Sequence, residues 1–281
     1  MDLYLTGGTG FIGKHLLASG ALNDFNVTLL VRKEPPPDLI AYPSILLSDF
    51  FSKSLEHFSG LFLHAATDYG HQGNIANIIN TNLALPMSIV QRLEKNLMGF
   101  VYLDTYYNKV SYQYPYLLNY SISKLYFHNW SKFAFPNLSK KRLILEHVYG
   151  PGDRLDKFVP SLIQKAKLNQ DIELSSGHQI RDFVHVKDVS NAISIVLSKA
   201  NFAPDFNETF EIGTGVGTSI ADFAQLAFEL AGANSKLNYG AIPDRDQEIP
   251  VSVANLENMK SLGYKPSIDL KEGLEMIISR I

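Results

Sequence analysis

Leu3-Tyr4-Leu5-Thr6-Gly7-Gly8-Thr9-Gly10-Phe11-Ile12-Gly13 decides the fold: a short apolar run, a turn with glycines at 7, 10 and 13, and the opening of an amphipathic stretch. In a strand–turn–helix the first glycine lets the chain reverse, the second lets backbone approach a pyrophosphate, and the third lets helix pack on strand. The negative charge then meets unpaired amides and the helix dipole, here in the turn of Phe11 and Ile12. An ordinary tight turn has the same glycines; the position directly after a first strand favours a dinucleotide. Outward from it, apolar, β-branched-rich runs at 2–6, 26–32, 44–48, 61–64, 99–104 and 142–148 alternate with helix-like stretches at 11–19, 74–93 and 121–133. That alternation is the pattern of βαβ units and predicts an α/β chain with a doubly wound parallel sheet.

After Gly150-Pro151-Gly152 the pattern changes. A helix is expected over 158–168, an apolar strand at 183–186, a helix over 188–197 and a strand at 209–212. Ser219 and Asp222 read as a capping box that opens another helix, and an amphipathic helix over 269–278 ends the chain. Residues after about 232 read as a cap over a crevice. A length of 281 residues suits one main body and a smaller lobe. The expected division is 1–148 with about 183–212 as the dinucleotide-binding domain, and about 149–182 with 213–281 as a smaller, mostly C-terminal substrate-binding lobe.

Composition narrows the class. With 46% hydrophobic and 19% charged residues the chain reads as globular, and no apolar window is long enough to span a membrane. The first strand begins within two residues of Met1, which leaves no room for a secretion signal and points to the cytoplasm. A net charge of −3 without a long basic run argues against nucleic acid. No cysteine is present, so disulfides, thiolate metal ligands and a cysteine nucleophile are excluded. The eight histidines lack metal-ligand spacing, so no metal is expected and His64, His71, His128 and His185 read as structural.

Two places carry chemistry. At the end of the second strand an acidic residue would bind a free ribose hydroxyl, whereas this chain has Arg32-Lys33, a pair that suits the 2′-phosphate of NADP or stands as solvated surface charge. Asp49-Phe50, after the third strand, is a candidate for holding adenine. Tyr120 and Lys124 are four apart on a helical stretch, so both project from one face. A nearby ammonium is expected to lower the phenol's pKa and ready Tyr120 to exchange a proton with a substrate oxygen, while Lys124 holds the nicotinamide ribose. Thr105 ends the fifth strand, either as a turn residue or as a second hydroxyl on the same oxygen. Arg181 and Arg245 lie beside Asp182 and beside Asp244 and Asp246, as surface ion pairs or as a clamp on a second pyrophosphate.

Taken with His64-Ala65-Ala66, Tyr120-Ser121-Ile122-Ser123-Lys124, Val148-Tyr149-Gly150-Pro151-Gly152, Gln179-Ile180-Arg181-Asp182-Phe183 and Gly213-Thr214-Gly215, the chain resembles the extended short-chain dehydrogenase/reductase family, the NAD-dependent epimerases and dehydratases of nucleotide sugars. The resemblance implies a Rossmann fold, Ala65, Ala66 and Thr67 along the cofactor, Lys157, Arg181 and Arg245 on the substrate, and a homodimer. The stretches 66–71, 145–150 and 239–242 resemble, within that family, the reductases of 3,6-dideoxyhexose synthesis. They imply NADPH-dependent reduction of a 4-keto group on a CDP- or dTDP-linked 6-deoxy or 3,6-dideoxy hexose, for surface polysaccharide. A 4-epimerase with bound NAD is the alternative, and a non-catalytic cofactor sensor a more distant one. Three departures from the family stand out. Tyr106-Tyr107 replaces the Asp-Glu pair of the dehydratases, the interval from Thr105 to Tyr120 is short, and His147 replaces an asparagine near the cofactor and substrate phosphates.

Overall fold

The computed structural model describes residues 1–53, 58–69, 74–110 and 114–280. Its elements begin with β1 (Asp2–Thr6), α1 (Phe11–Ala18), β2 (Asn26–Val31), β3 (Ser44–Leu46), α2 (Leu47–Ser52) and β4 (Gly60–His64). They continue with α3 (Ile75–Ile79), α4 (Leu85–Leu93), β5 (Leu97–Thr105), α5 (Leu118–Ala134), β6 (Ser139–Leu145) and β7 (His147–Tyr149). Next come α6 (Phe158–Lys167), β8 (Ile172–Glu173), β9 (Ile180–Arg181), β10 (Phe183–His185), α7 (Val186–Lys199) and β11 (Asn207–Ile212). The chain ends through β12 (Thr218–Ser219), α8 (Ile220–Ala231), β13 (Leu237–Asn238), β14 (Val251–Ser252), α9 (Glu257–Ser261) and α10 (Leu270–Ile278).

Two compact units result. The described residues of 1–111, with Leu117–Ile144 and Ser190–Phe210, form the first; residues 114–116, Leu145–Val189 and 211–280 form the second. The boundaries depart from those expected: 145–148, 183–189 and 211–212 go with the second unit, as do 114–116.

The first unit is built on a seven-stranded sheet in the order β11-β6-β5-β4-β1-β2-β3. The ladders β1–β2, β1–β4, β2–β3 and β4–β5 are parallel, as a doubly wound sheet requires. Strand order reverses between β1 and β4, where Thr6 pairs with His64, and that is where such sheets bind ligands. Beneath lies an aromatic core that includes Tyr4, Phe50, Phe62, Phe100, Tyr102 and Phe127. Phe50, expected beside an adenine, is one of its members with no exposed surface, packed edge-on to Tyr4. The third strand stops at Leu46, short of 48, because α2 starts there and turns Phe50 inward.

Residues 74–93, expected as one helix, are interrupted by a π-helical turn at Asn80–Ala84 between α3 and α4. Pro86 supplies the reason: it has no amide to offer the carbonyl one turn back, so the ladder widens there.

In the second unit β9 is flanked by β12 and β14, β7 pairs with β10, and β8 with β13. Its own core includes Tyr149, Ile163, Phe183, Phe223, Phe228 and Leu274. Ser219 caps α8: its hydroxyl accepts the Asp222 amide at 3.0 Å and donates to the Asp222 carboxylate at 2.6 Å, where a reciprocal box would have the carboxylate on the Ser219 amide. Asp182, wholly buried, accepts hydrogen bonds from the Thr214 amide and hydroxyl and from the amides of Gly215 and Ala254. These hydrogen bonds tie the end of β9 to the segments after β11 and β14. No helix among the described residues is long and apolar enough to cross a membrane.

Candidate active site

The glycine turn is shaped by backbone contacts that admit no side chain. Gly7 takes a φ of +79°, and a Cβ on it would lie 2.4 Å from the Ala66 nitrogen. A Cβ on Gly13 would lie 2.1 Å from the Gly7 carbonyl oxygen, so α1 packs on the turn only through glycine. At Gly10 the nearest atom is the Gly7 oxygen at 3.2 Å, which leaves the other side of the backbone open to a ligand. Gly10 is the N-cap of α1 and no side chain caps the helix, so its first amides remain for an anion. The residues present therefore fit a dinucleotide pyrophosphate. Ala65 and Ala66 come against this turn from the end of β4, where the Ala65 amide bonds the Thr6 carbonyl at 3.1 Å; Thr67 follows, exposed. Arg32 and Lys33 follow β2 and are exposed, and the half-buried Asp49 is paired with Lys53 at 2.8 Å.

Thr105, Tyr120 and Lys124 are brought together. The Thr105 hydroxyl lies beside the Tyr120 phenol, and the Lys124 ammonium lies 5.5 Å from the Tyr120 ring centre. Lys124 donates to the Leu103 carbonyl at 2.7 Å, which aims it at the strand end. The turn reading of Thr105 holds, since its oxygen accepts the Tyr107 amide at 3.4 Å and caps the turn Tyr106–Lys109. α5 is entered through Leu117 at a φ of 55°, a left-handed conformation that costs a side chain roughly 1–2 kcal/mol. The short connection after Thr105 ends there.

One expectation is reversed. Burial, the neighbouring Tyr69 phenol and the Asp104 carboxylate push the Tyr120 phenol well above its ordinary value. Desolvation is the largest of these causes, and the same burial pushes the Lys124 amine down to about 8. Tyr120 is thus held as a neutral acid. The Tyr69 ring lies over it, 4.5 Å between centres.

Sequence reasoning missed the polar groups that hold this site. Asn82, buried in the π-turn, bonds both backbone groups of Asp68, at 2.8 and 2.9 Å, and the Ser123 hydroxyl at 3.0 Å. Ser123 in turn bonds the Tyr120 carbonyl at 2.7 Å. The only local signal was Pro86, which opens the turn. Asp104 and Arg142 form a buried ion pair at 2.6 Å beside Thr105. His64 accepts or donates to Thr6 at 2.8 Å between β4 and β1, and burial with the nearby Lys124 charge pushes it down to about 3, so it is neutral and structural. His128 bonds the Tyr102 phenol at 2.5 Å, and the Lys187 amide reaches His185 at 3.3 Å. Gly70 and His71 lie outside the described residues.

The second unit gathers another set. Arg181 is buried and bonds Glu248 at 2.5 Å; Arg245 lies 3.8 Å from the same carboxylate and 3.7 Å over the Tyr116 ring. Tyr114 donates to Glu248 at 2.9 Å. Both arginines meet at Glu248, while Asp182 serves backbone amides and the Thr214 hydroxyl, and Asp244 serves Ser176 and Gln179. Burial and the two arginine charges push His147 down to about 3, which keeps it neutral. Lys157 precedes α6 and pairs with Asp153 at 2.9 Å.

Residues 3–213 match the profile described as the NAD dependent epimerase/dehydratase family. A CDP-abequose synthase of Salmonella typhimurium is 32% identical over 99% of this chain and 97% of its own length. That relation bears out the likeness seen in the stretches 66–71, 145–150 and 239–242. Among solved structures, MoeE5 in complex with UDP-glucuronic acid and NAD has a TM-score of 0.81 at 24% identity, covering 99% of this chain and 98% of its own. UDP-glucose 4-epimerase of Thermotoga maritima with UDP-glucose has a TM-score of 0.79 at 21% identity, with the same coverage. These two show the same fold.

Proposed function

This chain belongs to the NAD dependent epimerase/dehydratase family, and we propose that it is an NADPH-dependent 4-ketoreductase of a nucleotide-linked 6-deoxy or 3,6-dideoxy hexose. The observation that carries the reading is the contact of Thr105, Tyr120 and Lys124 at the carboxyl end of β5 with Tyr120 held neutral. Reduction of a ketone needs a hydride, which bound NADPH supplies, and a proton, which a neutral phenol supplies. Tyr120 donates that proton to the C4 oxygen while Thr105 hydrogen-bonds the same oxygen. Lys124 takes the nicotinamide ribose and offsets the phenolate left behind. Arg32 and Lys33 take the 2′-phosphate, and Gly7, Gly10 and the amides of Phe11, Ile12 and Gly13 take the pyrophosphate. Arg181, Arg245, Lys157 and His147 serve the sugar nucleotide's phosphates. Tyr106-Tyr107 leaves no carboxylate after Thr105 to remove a proton from the sugar, which supports reduction over dehydration.

The test offers purified protein NADPH with enzymatically generated 4-keto sugar nucleotides that vary in base and in the C3 hydroxyl. Loss of NADPH absorbance with at least one of them is the expected result. No oxidation with any, or tightly held NAD in the purified protein, refutes the reading, and the second result indicates a 4-epimerase.

The proposed enzyme is a homodimer whose second copy covers α5. Tyr126, Trp130 and Phe133 on that helix are 48%, 56% and 83% exposed, and Ile75 and Ile79 of the neighbouring α3 are 51% and 47% exposed. An apolar stripe of that extent on a helix marks an association surface. In sedimentation the protein should run as a dimer and Trp130→Glu/Phe133→Glu as a monomer. A monomeric parent protein excludes the pairing.

A further inference from the structure

We propose that Asp104 is a positioning residue: its buried carboxylate, clamped by Arg142, brackets the end of β5 to the helix that carries Tyr120 and Lys124. The inference rests on the reading of Tyr120 as the proton donor.

The Asp104 side chain has no exposed surface and that of Arg142 is 11% exposed. One carboxylate oxygen takes the Arg142 Nε at 2.6 Å; the other accepts the Thr105 amide at 2.7 Å and the Asn108 side-chain amide at 2.8 Å. Asn108 donates from the same nitrogen to the Ser121 carbonyl at 3.0 Å. A continuous chain thus runs from Arg142 on β6, through Asp104 on β5 and the turn after it, to the residue that follows Tyr120 in α5. Stability does not account for it, because a buried ion pair recovers little more than the desolvation it costs and an apolar pair of similar volume serves as well. What the pair does is fix the Thr105 backbone and the start of α5 to one anchor, and so the distance between the two hydroxyls.

It also puts one negative charge beside the proton-handling groups. Asp104 faces Arg142 from β6, Tyr120, Lys124 and His128 from α5, and Tyr102 on its own strand. Tyr69 neighbours Tyr120, and His64 neighbours Lys124. The carboxylate opposes the desolvation that pushes Lys124 down to about 8 and adds to what pushes Tyr120 up. The charge stands before Thr105, under the site, whereas the positions after it are Tyr106 and Tyr107.

The experiment follows the 13Cε lysine resonances of the full chain against pH, with that of Lys124 identified by its loss in Lys124→Arg. Asp104→Asn should move the Lys124 midpoint down by about one pH unit, and Arg142→Gln, which leaves the carboxylate without its counter-charge, should move it up. Arg142→Lys, which keeps the charge, should restore the parent midpoint. General loosening of the fold cannot produce shifts of opposite sign. Unchanged midpoints, or shifts in one direction, overturn the proposal. If Asp104→Asn does not fold, the two Arg142 variants decide it. No substrate enters the measurement, so inactivity toward every keto sugar would remove the functional reading and leave this result standing.

Discussion

Tyr120→Phe should bind NADPH as the parent protein does and reduce a 4-keto sugar nucleotide about 10²- to 10⁴-fold more slowly, the usual worth of a positioned general acid. The substitution removes one oxygen from a ring that burial and the Tyr69 ring already hold in place, so the packing that orients it survives. The loss therefore falls on kcat, with KM for the sugar nucleotide little changed. Burial keeps the Tyr120 phenol above its ordinary value, so the acid form persists through neutral and mildly alkaline pH and the reduction rate should not fall there for want of a proton. A variant that keeps more than about a tenth of the parent kcat would assign the proton to another group.

Arg32→Ala/Lys33→Ala should weaken NADPH about 10- to 100-fold and leave NADH within about twofold, the scale of losing charge-assisted hydrogen bonds from exposed side chains to one phosphate. Both cations follow β2 directly, at the strand edge beside the glycine turn, and both are exposed. The readout is the ratio of the two dissociation constants, measured by quenching or calorimetry without sugar nucleotide. Equal weakening of both cofactors would mean that the pair acts on the turn itself. No weakening of either would leave the pair as surface charge and remove the argument for NADP.

How much of this site was legible follows from where each signal resides. The Gly7–Gly13 turn is local: a backbone that reverses at a φ of +79° and a helix start that leaves no room at Gly13 demand glycine, and the demand is written in consecutive residues. The pair Tyr120 and Lys124 is equally local, since four residues make one helical turn. The cap at Ser219 is of the same kind. Asn82 carries no such signature. Its partners are 14 and 41 residues away, and its position is set by a widened helical turn. Glu248 is likewise three residues from Arg245 but 67 from Arg181, and only folding brings the two cations to one carboxylate.

By itself, then, the sequence determined the doubly wound sheet, the glycine turn and the shared helix face of Tyr120 and Lys124, because dihedral demands and helical spacing act between neighbours along the chain. Only the tertiary structure decided that the Phe50 ring belongs to the core, that Arg181 and Arg245 share Glu248, and that Asp104 stands clamped by Arg142 beneath Thr105. It also decided the direction of the shift at Tyr120, whose phenol is held protonated rather than ionised. Proton affinity depends on how much water and how many charges surround a group, and those are set by segments that meet only when the chain has folded.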